Sequence, residues 1–240
     1  MKHLALYLRA PLQSWGASSK FGIRGTLDVP TRSGLLGLIA AACGINKNDE
    51  MADGTWLARA KKVSMSVLTF KRGDRMTEYH TVGAHYDRND SWQKRMIPTT
   101  PDGKSRGTDL TNRDYLMDSV FGVILSGDDM LIGEMAAGLA DPVWGIWLGR
   151  KSCVPTEPIL AGVFDLMDNA RLALFERFRG SLERNGEKVE YKEGNCVAFS
   201  VFESSAGAEG ETLLDVPVSF TRREFHARRI RREMDEAEEK

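Results

Sequence analysis

Residues 29–44 read VPTRSGLLGLIAAACG, and this stretch decides how the rest of the chain must fold. Leu35, Leu38, Ile39 and Ala42 recur at the spacing of one helical face, and apolar residues also fill the neighbouring face. A helix that is apolar nearly all round has to be enclosed by other elements. The pattern therefore predicts a core helix.

The start of this helix has the features of an anion site. Pro30 and either Thr31 or Ser33 supply start signals, and Gly44 supplies a stop signal. The amides of the first turn, next to Arg32 and the Ser33 hydroxyl, would bind an anion such as a phosphate. The alternative interpretation is an ordinary capped helix of the core.

Composition limits the function classes. The chain has 240 residues, 42% of them hydrophobic and 28% charged, which fits one large or two small globular domains. The net charge is only -1, so any contact with nucleic acid must come from local clusters of Lys and Arg. Cys43, Cys153 and Cys196 lack metal or disulfide spacing, and no apolar run could span a membrane. We expect a cytoplasmic protein with no metal and no cofactor.

The order of predicted elements up to about residue 164 is β-α-β-β-α-β. The predicted elements are a half-buried strand at 4–9, the helix described above, a strand at 63–67 that returns through a hairpin turn at 71–74, a strand at 115–125, a helix at 128–139 and a strand at 159–164. This is the ferredoxin-like order, which the RNA-recognition motif shares. We expect an α+β fold.

Two segments interrupt this pattern of core elements. Residues 83–113 lack hydrophobic periodicity, and Tyr86 and Trp92 interleave there with cations, which is typical of a nucleic-acid-binding protrusion or of a solvated loop. The C-terminal residues 221–240 are rich in Arg at first and then acidic. Pairs of opposite charge four residues apart predict a solvated terminal helix, which RNA or a partner could order.

A catalytic site is a weaker possibility. The sequence has no P-loop, dinucleotide glycine motif, HExxH or nucleophile elbow. Tyr79, His80, His85, Tyr86 and Lys94 could supply the base and the cation that metal-independent RNA cleavage requires. The alternative is that these histidines are ordinary hydrogen-bonding residues near a strand end.

Four short segments combine into one familiar pattern: PLQSWG at 11–16, PTRSGLLGL at 30–38, YHTV at 79–82 and LGRKSC at 148–153. Their identity, order and spacing resemble the CasD family of CRISPR-associated proteins, which are subunits of type I-E Cascade surveillance complexes. The resemblance covers about residues 1–165 and is loose beyond that point.

The resemblance implies a ferredoxin-like (RRM-like, RAMP) core at residues 1–148, with a protruding thumb at about 83–112. It also implies a smaller C-terminal β-rich part at 149–220, followed by the charged tail at 221–240. Such a subunit grips the 5′ handle of the crRNA, caps the backbone filament, contacts the large subunit and meets target DNA only indirectly. We therefore expect a non-catalytic ribonucleoprotein subunit in antiviral defence.

Two alternatives remain open beside this expectation. One is a metal-independent endoribonuclease that processes pre-crRNA, as the related type I-C subunit does. The other is an interaction module whose basic loop meets an acidic protein.

The resemblance also names the residues that would contact RNA. In the core these are Gln13, Arg24, Arg32, Ser33, His80, Arg150, Lys151 and Ser152. In the thumb, Lys94, Arg95, Lys104 and Arg106 would grip phosphates.

Overall fold

The fold is α+β and rich in sheet. It consists of two mostly antiparallel sheets and the helices that cover them. The computed structural model describes residues 1–20, 22–82, 109–186, 199–203 and 210–234. The strands are β1 (Lys2–Arg9), β2 (Leu12–Gln13), β3 (Trp15–Lys20), β4 (Ile23–Leu27), β5 (Ser64–Lys71), β6 (Asp74–Val82), β7 (Asp109–Met117), β8 (Val120–Gly127), β9 (Leu160–Phe164), β10 (Phe199–Glu203), β11 (Glu211–Ser219) and β12 (Glu224–Met234). The helices are α1 (Arg32–Ala42), α2 (Glu50–Ala52), α3 (Ala58–Ala60), α4 (Asp129–Ala140) and α5 (Met167–Arg184), with a π-helical turn at Asp53–Leu57.

The seven-stranded sheet has the order β11-β12-β10-β5-β8-β1-β9, and all its neighbours are antiparallel. The second sheet has the order β2-β7-β4-β3, and β6 also pairs with β7. Strands from both sides of the predicted division at residue 148 thus belong to the same large sheet. No helix in the part of the chain that the structure describes is long and apolar enough to cross a membrane.

The helix at residues 29–44 forms as predicted. Thr31 is the N-cap, and its side chain accepts a hydrogen bond from the Gly34 amide at 3.2 Å. The helix ends at Ala42, and Gly44 follows with a φ of +71°, the left-handed conformation that a glycine stop signal supplies. Leu35 and Ile39 are fully buried, which confirms a core helix.

Strand β1 is buried on both faces, so the prediction of a half-buried strand was wrong. Leu4 and Leu6 belong to the same core cluster as α1 and α4. Ala5 and Tyr7 point to the other face and pack in the cluster of α5. Tyr7 carries a polar hydroxyl but is apolar over most of its surface, so it can be buried. The sequence pattern of a strand with two buried faces therefore resembles here that of a strand with one buried face.

The chain crosses between the sheets where simpler strands were predicted. The predicted strand at 115–125 is two strands, β7 and β8, separated at Asp118, which has a φ of +53°. The predicted hairpin at 71–74 contains a turn at Gly73, but β5 and β6 enter different sheets. The two crossings touch, since a Cβ on Gly73 would lie 2.3 Å from the Met117 carbonyl oxygen.

The predicted C-terminal helix was also wrong, because residues 224–234 form strand β12. This strand pairs with β10 on one side and with β11 on the other. Ile230 is buried, and the Arg228 side chain is only 8% exposed, whereas Arg231 faces solvent. The arginines therefore follow the period of two of a strand, and not the helical spacing.

The segment predicted as a thumb lies outside the described residues, apart from 109–112 in β7. Its two ends are nevertheless held together, because β6 and β7 pair with Val82 opposite Asp109.

Candidate nucleic-acid interface

An open cleft of about 420 Å³ lies where the start of α1 meets β4, the turn at 149–152 and the loop between β11 and β12. Three of the predicted RNA-binding residues line it, namely Arg24, Ser33 and Arg150. The structure therefore brings together side chains from three separate parts of the sequence.

Packing of glycines against buried groups shapes this cleft. A Cβ on Gly34 would lie 3.1 Å from the ring of Trp15, so α1 can approach that ring closely only with glycine there. Gly149 has a φ of +104°, and a Cβ on it would lie 1.8 Å from the Ser14 carbonyl oxygen. Glycine is required at this turn because both its backbone conformation and its contact exclude a side chain.

Gln13 is fully buried and cannot contact RNA directly, which corrects that prediction. Its Nε2 donates hydrogen bonds to the carbonyl oxygens of Leu8 at 3.2 Å and Ser119 at 2.8 Å. Its Oε1 accepts a hydrogen bond from the indole nitrogen of Trp15 at 3.2 Å. Gln13 therefore holds the Trp15 ring against α1.

Arg32 is also buried, with 6% of its surface exposed. Its guanidinium donates to Glu203 at 2.6 Å and to the carbonyl oxygens of Lys61 at 2.6 Å and of Val63. Burial lowers the pKa of the Arg32 guanidinium, and the negative charge of Glu203 opposes that shift. Because these internal acceptors use the side chain, the prediction of a direct RNA contact by Arg32 is wrong.

The predicted anion site at the start of α1 is filled by a carboxylate of the protein itself. Asp215 of β11 accepts a hydrogen bond from the Arg32 backbone amide at 2.8 Å. The same carboxylate binds Arg228 through two bonds, 2.7 Å from Nε and 3.0 Å from Nη2. The helix N-terminus does attract a negative charge as predicted, but Asp215 supplies it.

Arg150 lines the cleft and also ties its walls together. Its guanidinium donates to the carbonyl oxygens of Asp114 at 2.9 Å and Arg24 at 2.8 Å, and it lies 4.5 Å from the centre of the Tyr115 ring. Its neighbours in the turn, Lys151 and Ser152, are exposed. Arg150 thus fixes the turn that presents them.

His80 lies on β6 and does not line the cleft. Its Nδ1 is 3.8 Å from a carboxylate oxygen of Glu78, and the neighbouring Tyr79 is 64% exposed. Because consecutive residues of a strand point to opposite faces, Tyr79 and His80 do not converge on one point.

The other residues of the hypothetical catalytic group, His85, Tyr86 and Lys94, lie outside the described residues. The same holds for the predicted thumb contacts Arg95, Lys104 and Arg106. Within the described ranges, no group of three or more His, Cys, Asp or Glu side chains is arranged to hold a metal ion.

Part of the cleft comes from residues that the sequence pattern did not predict. Phe220 and Arg223 line it from the loop between β11 and β12, and Phe225 lines it from the start of β12. Arg223 is exposed and has a φ of +54°, and Phe225 is 39% exposed. The sequence feature that could have identified these residues is the mixture of aromatic rings and cations in FTRREF at 220–225. This mixture suits the binding of single-stranded nucleic acid.

Comparison with known proteins connects this chain to a family. The family described as "CRISPR-associated protein (Cas_Cas5)" matches residues 3–233. The Escherichia coli (strain K12) protein named CRISPR system Cascade subunit CasD is 30% identical over 234 residues, which is 93% of this chain and 94% of that protein. The likeness therefore extends well beyond residue 165, where the sequence motifs end.

Solved structures of CRISPR-associated proteins are also similar to this chain. A chain of a structure titled CRISPR RNA-guided surveillance complex is 28% identical, with a TM-score of 0.69 over 97% of this chain and 90% of that chain. A chain titled Crystal structure of Cas protein is 24% identical, and its TM-score of 0.59 over 97% of this chain and 94% of that chain supports the fold. On the family match and the similarity to CasD, the chain belongs to the Cas5 family of CRISPR-associated proteins.

Proposed function

We propose that this protein is a subunit of a type I-E Cascade complex that binds the 5′ handle of the crRNA without cutting it. The observation that carries the proposal is the cleft at the start of α1, where cations and aromatic rings meet. The similarity to CasD supplies the biological setting.

The chemistry of the cleft suits the backbone of a single-stranded RNA. Neither Arg24 nor Arg223 forms an ion pair with another described side chain, so both guanidinium groups can bind phosphate. Phe220 and Phe225 add ring surface next to them. Local cations of this kind explain how a chain of net charge -1 could bind RNA.

The roles of the predicted residues divide accordingly. Arg24, Ser33, Lys151 and Ser152 are proposed to contact RNA, together with Arg223. Gln13, Arg32 and Arg150 are proposed to position the walls of the cleft. The thumb residues Lys94, Arg95, Lys104 and Arg106, and His80 beside the base of the thumb, are retained as proposed contacts with the same RNA.

We also propose a ferredoxin-like RAMP core. The elements β1, α1, β5, β8, α4 and β9 follow one another in the order β-α-β-β-α-β, and their strands lie side by side as β5-β8-β1-β9. Helices α1 and α4 contribute to one core cluster on the same face of these strands. This arrangement supports the ferredoxin-like assignment.

Binding without cleavage is favoured over the endoribonuclease alternative because Tyr79 and His80 diverge on β6. As a Cascade subunit, the protein would cap the backbone filament, contact the large subunit, meet target DNA only through the guide, and act in the cytoplasm with its crRNA. In such complexes, base pairing reads the target sequence, and the protein needs to hold RNA backbone.

Incubation of the purified protein with labelled repeat RNA and a metal chelator tests the proposal. We expect bound, intact RNA, with affinity reduced in Arg24→Ala and Arg223→Ala and unchanged in Arg179→Ala on the outer face of α5. A specific product that disappears in His80→Ala would establish the endoribonuclease instead. Absence of both binding and product would favour the interaction module.

A further inference from the structure

We propose that a second pocket, next to the cleft, accepts one unstacked base of the bound RNA and stacks it on Trp144. This inference rests on the proposed RNA-binding function and assigns a specific contact to it. The pocket has a volume of about 280 Å³ and lies between the C-terminal half of α1, the residues that follow it and Trp144.

The pocket adjoins the cationic cleft. Gly37 and Phe220 line both of them. A strand of RNA with its phosphates beside Arg24 and Arg223 would therefore have a base within reach of the pocket. This adjacency is our reason for assigning the occupant to the RNA.

Small residues of α1 line one side of the pocket. Gly37 and Ala41 lie there, and a Cβ on Gly37 would meet no atom within 4 Å. A glycine at this helical position is therefore not required by packing inside the protein. It leaves room for a planar group to lie against α1.

Trp144 forms a wall whose backbone is fixed. The Trp144 amide donates to the Ala41 carbonyl oxygen at 3.3 Å, and the preceding Val143 amide donates to Ala42 at 2.9 Å. The indole is nevertheless 47% exposed. A large aromatic ring that is half uncovered on a fixed stretch of backbone offers a stacking surface.

Polar groups on the rim suit a base better than an apolar side chain of a partner protein. Asn46 accepts a hydrogen bond from the Asn48 amide at 3.0 Å through Oδ1, which turns its Nδ2 donors toward other acceptors. The neighbouring Lys47 is exposed. The amide can donate to the edge of a base and the ammonium can bind the phosphate attached to it.

Tryptophan fluorescence in the full-length protein tests the stacking. Repeat-derived RNA should quench the emission of the wild type, and this quenching should decrease in Trp144→Phe. The matched control is Trp147→Phe, because Trp147 is 36% exposed nearby but does not line the pocket. The control should keep the wild-type quenching.

A set of RNAs, each with one abasic position, identifies the base. We expect one position at which loss of the base weakens binding to the wild type about tenfold, as stacking on one ring predicts, with little further loss in Trp144→Ala. Urea denaturation of Trp144→Ala establishes that it folds, and Trp144→Phe provides the milder variant.

Three results would overturn the inference. The first is that the wild type binds RNA, but abasic positions weaken binding to the wild type and to Trp144→Ala equally, and Trp144→Phe keeps the wild-type quenching. The proposed function would then stand without this inference. The second is normal RNA binding by Trp144→Ala with lost binding to another subunit, which would make the pocket a protein-docking site. The third is absence of RNA binding by the wild type, which would remove the proposed function as well.

Discussion

Asp215 and Arg32 join the C-terminal strands to the helix that organises the core. The Asp215 carboxylate accepts a hydrogen bond from the Arg32 amide at 2.8 Å, while it is paired with Arg228 of β12. The Arg32 guanidinium reaches back to Glu203 of β10 at 2.6 Å. Two arginines and two carboxylates thus connect α1 with β10, β11 and β12 behind the cleft.

Replacement of Asp215 by Ala should destabilise the fold strongly. The Asp215 side chain is only 4% exposed, so its removal leaves the buried charge of Arg228 with the more distant carboxylate of Glu203 at 3.7 Å. It also removes the acceptor of the Arg32 amide at the start of α1. We expect the free energy of unfolding to fall by about 3–5 kcal/mol in urea denaturation. The control is Asp165→Ala, which removes an ion pair with Lys2 at 3.2 Å whose Asp side chain is 83% exposed. That variant should unfold like the wild type, and similar midpoints for both variants would refute the prediction.

Replacement of Gly149 by Ala should be costly, whereas Gly37→Ala should not. A methyl group on Gly149 would collide with the Ser14 carbonyl oxygen in a left-handed backbone conformation, and we expect a loss of more than about 2 kcal/mol in the free energy of unfolding. Gly37 lies in α1 facing open space, so alanine there should stabilise the protein by up to about 1 kcal/mol. Thermal unfolding of the two variants measures both effects. A stable Gly149→Ala protein would show that the turn can shift.

Removal of cleft arginines should alter the salt dependence of RNA binding. If Arg24 and Arg223 each neutralise one phosphate, each alanine variant should reduce the slope of log K against log salt concentration by roughly 0.7, the value for single strands. Titrations at several salt concentrations measure this slope. Arg179→Ala, an exposed arginine on α5, should leave it unchanged. Equal slopes in all four proteins would place the phosphates elsewhere.

Replacement of residues 83–108 by a short glycine-serine linker should leave the core folded. Val82 and Asp109 face each other in the β6–β7 pairing, so a short connection can close this hairpin. If the segment is a thumb, the variant should unfold at the same urea concentration as the wild type but assemble poorly with guide RNA and partner subunits. Size-exclusion chromatography with crRNA and the other subunits measures assembly. Normal assembly of the shortened protein would show that the segment is dispensable.

Local signals in the sequence were sufficient to predict several elements of the structure. The start, end and buried character of α1 follow from Thr31, Gly44 and the apolar spacing between them, because capping and helical periodicity depend on residues a few positions apart. The N-cap of α4 at Asp128 follows for the same reason. The four short motifs likewise identified the family without any knowledge of the fold.

Contacts between residues far apart in the sequence decided the other features, namely the pairing of the C-terminal strands and the lining of the cleft. Arg32 was predicted to bind phosphate, but the anion at the start of α1 comes from Asp215, 183 residues later in the chain. Arg228 looked like part of a helical charge pattern until β10 and β11 paired with its strand. Strand pairing and burial of charge depend on which segments meet in space, and Phe220 and Arg223 became part of the cleft only when β11 packed beside α1.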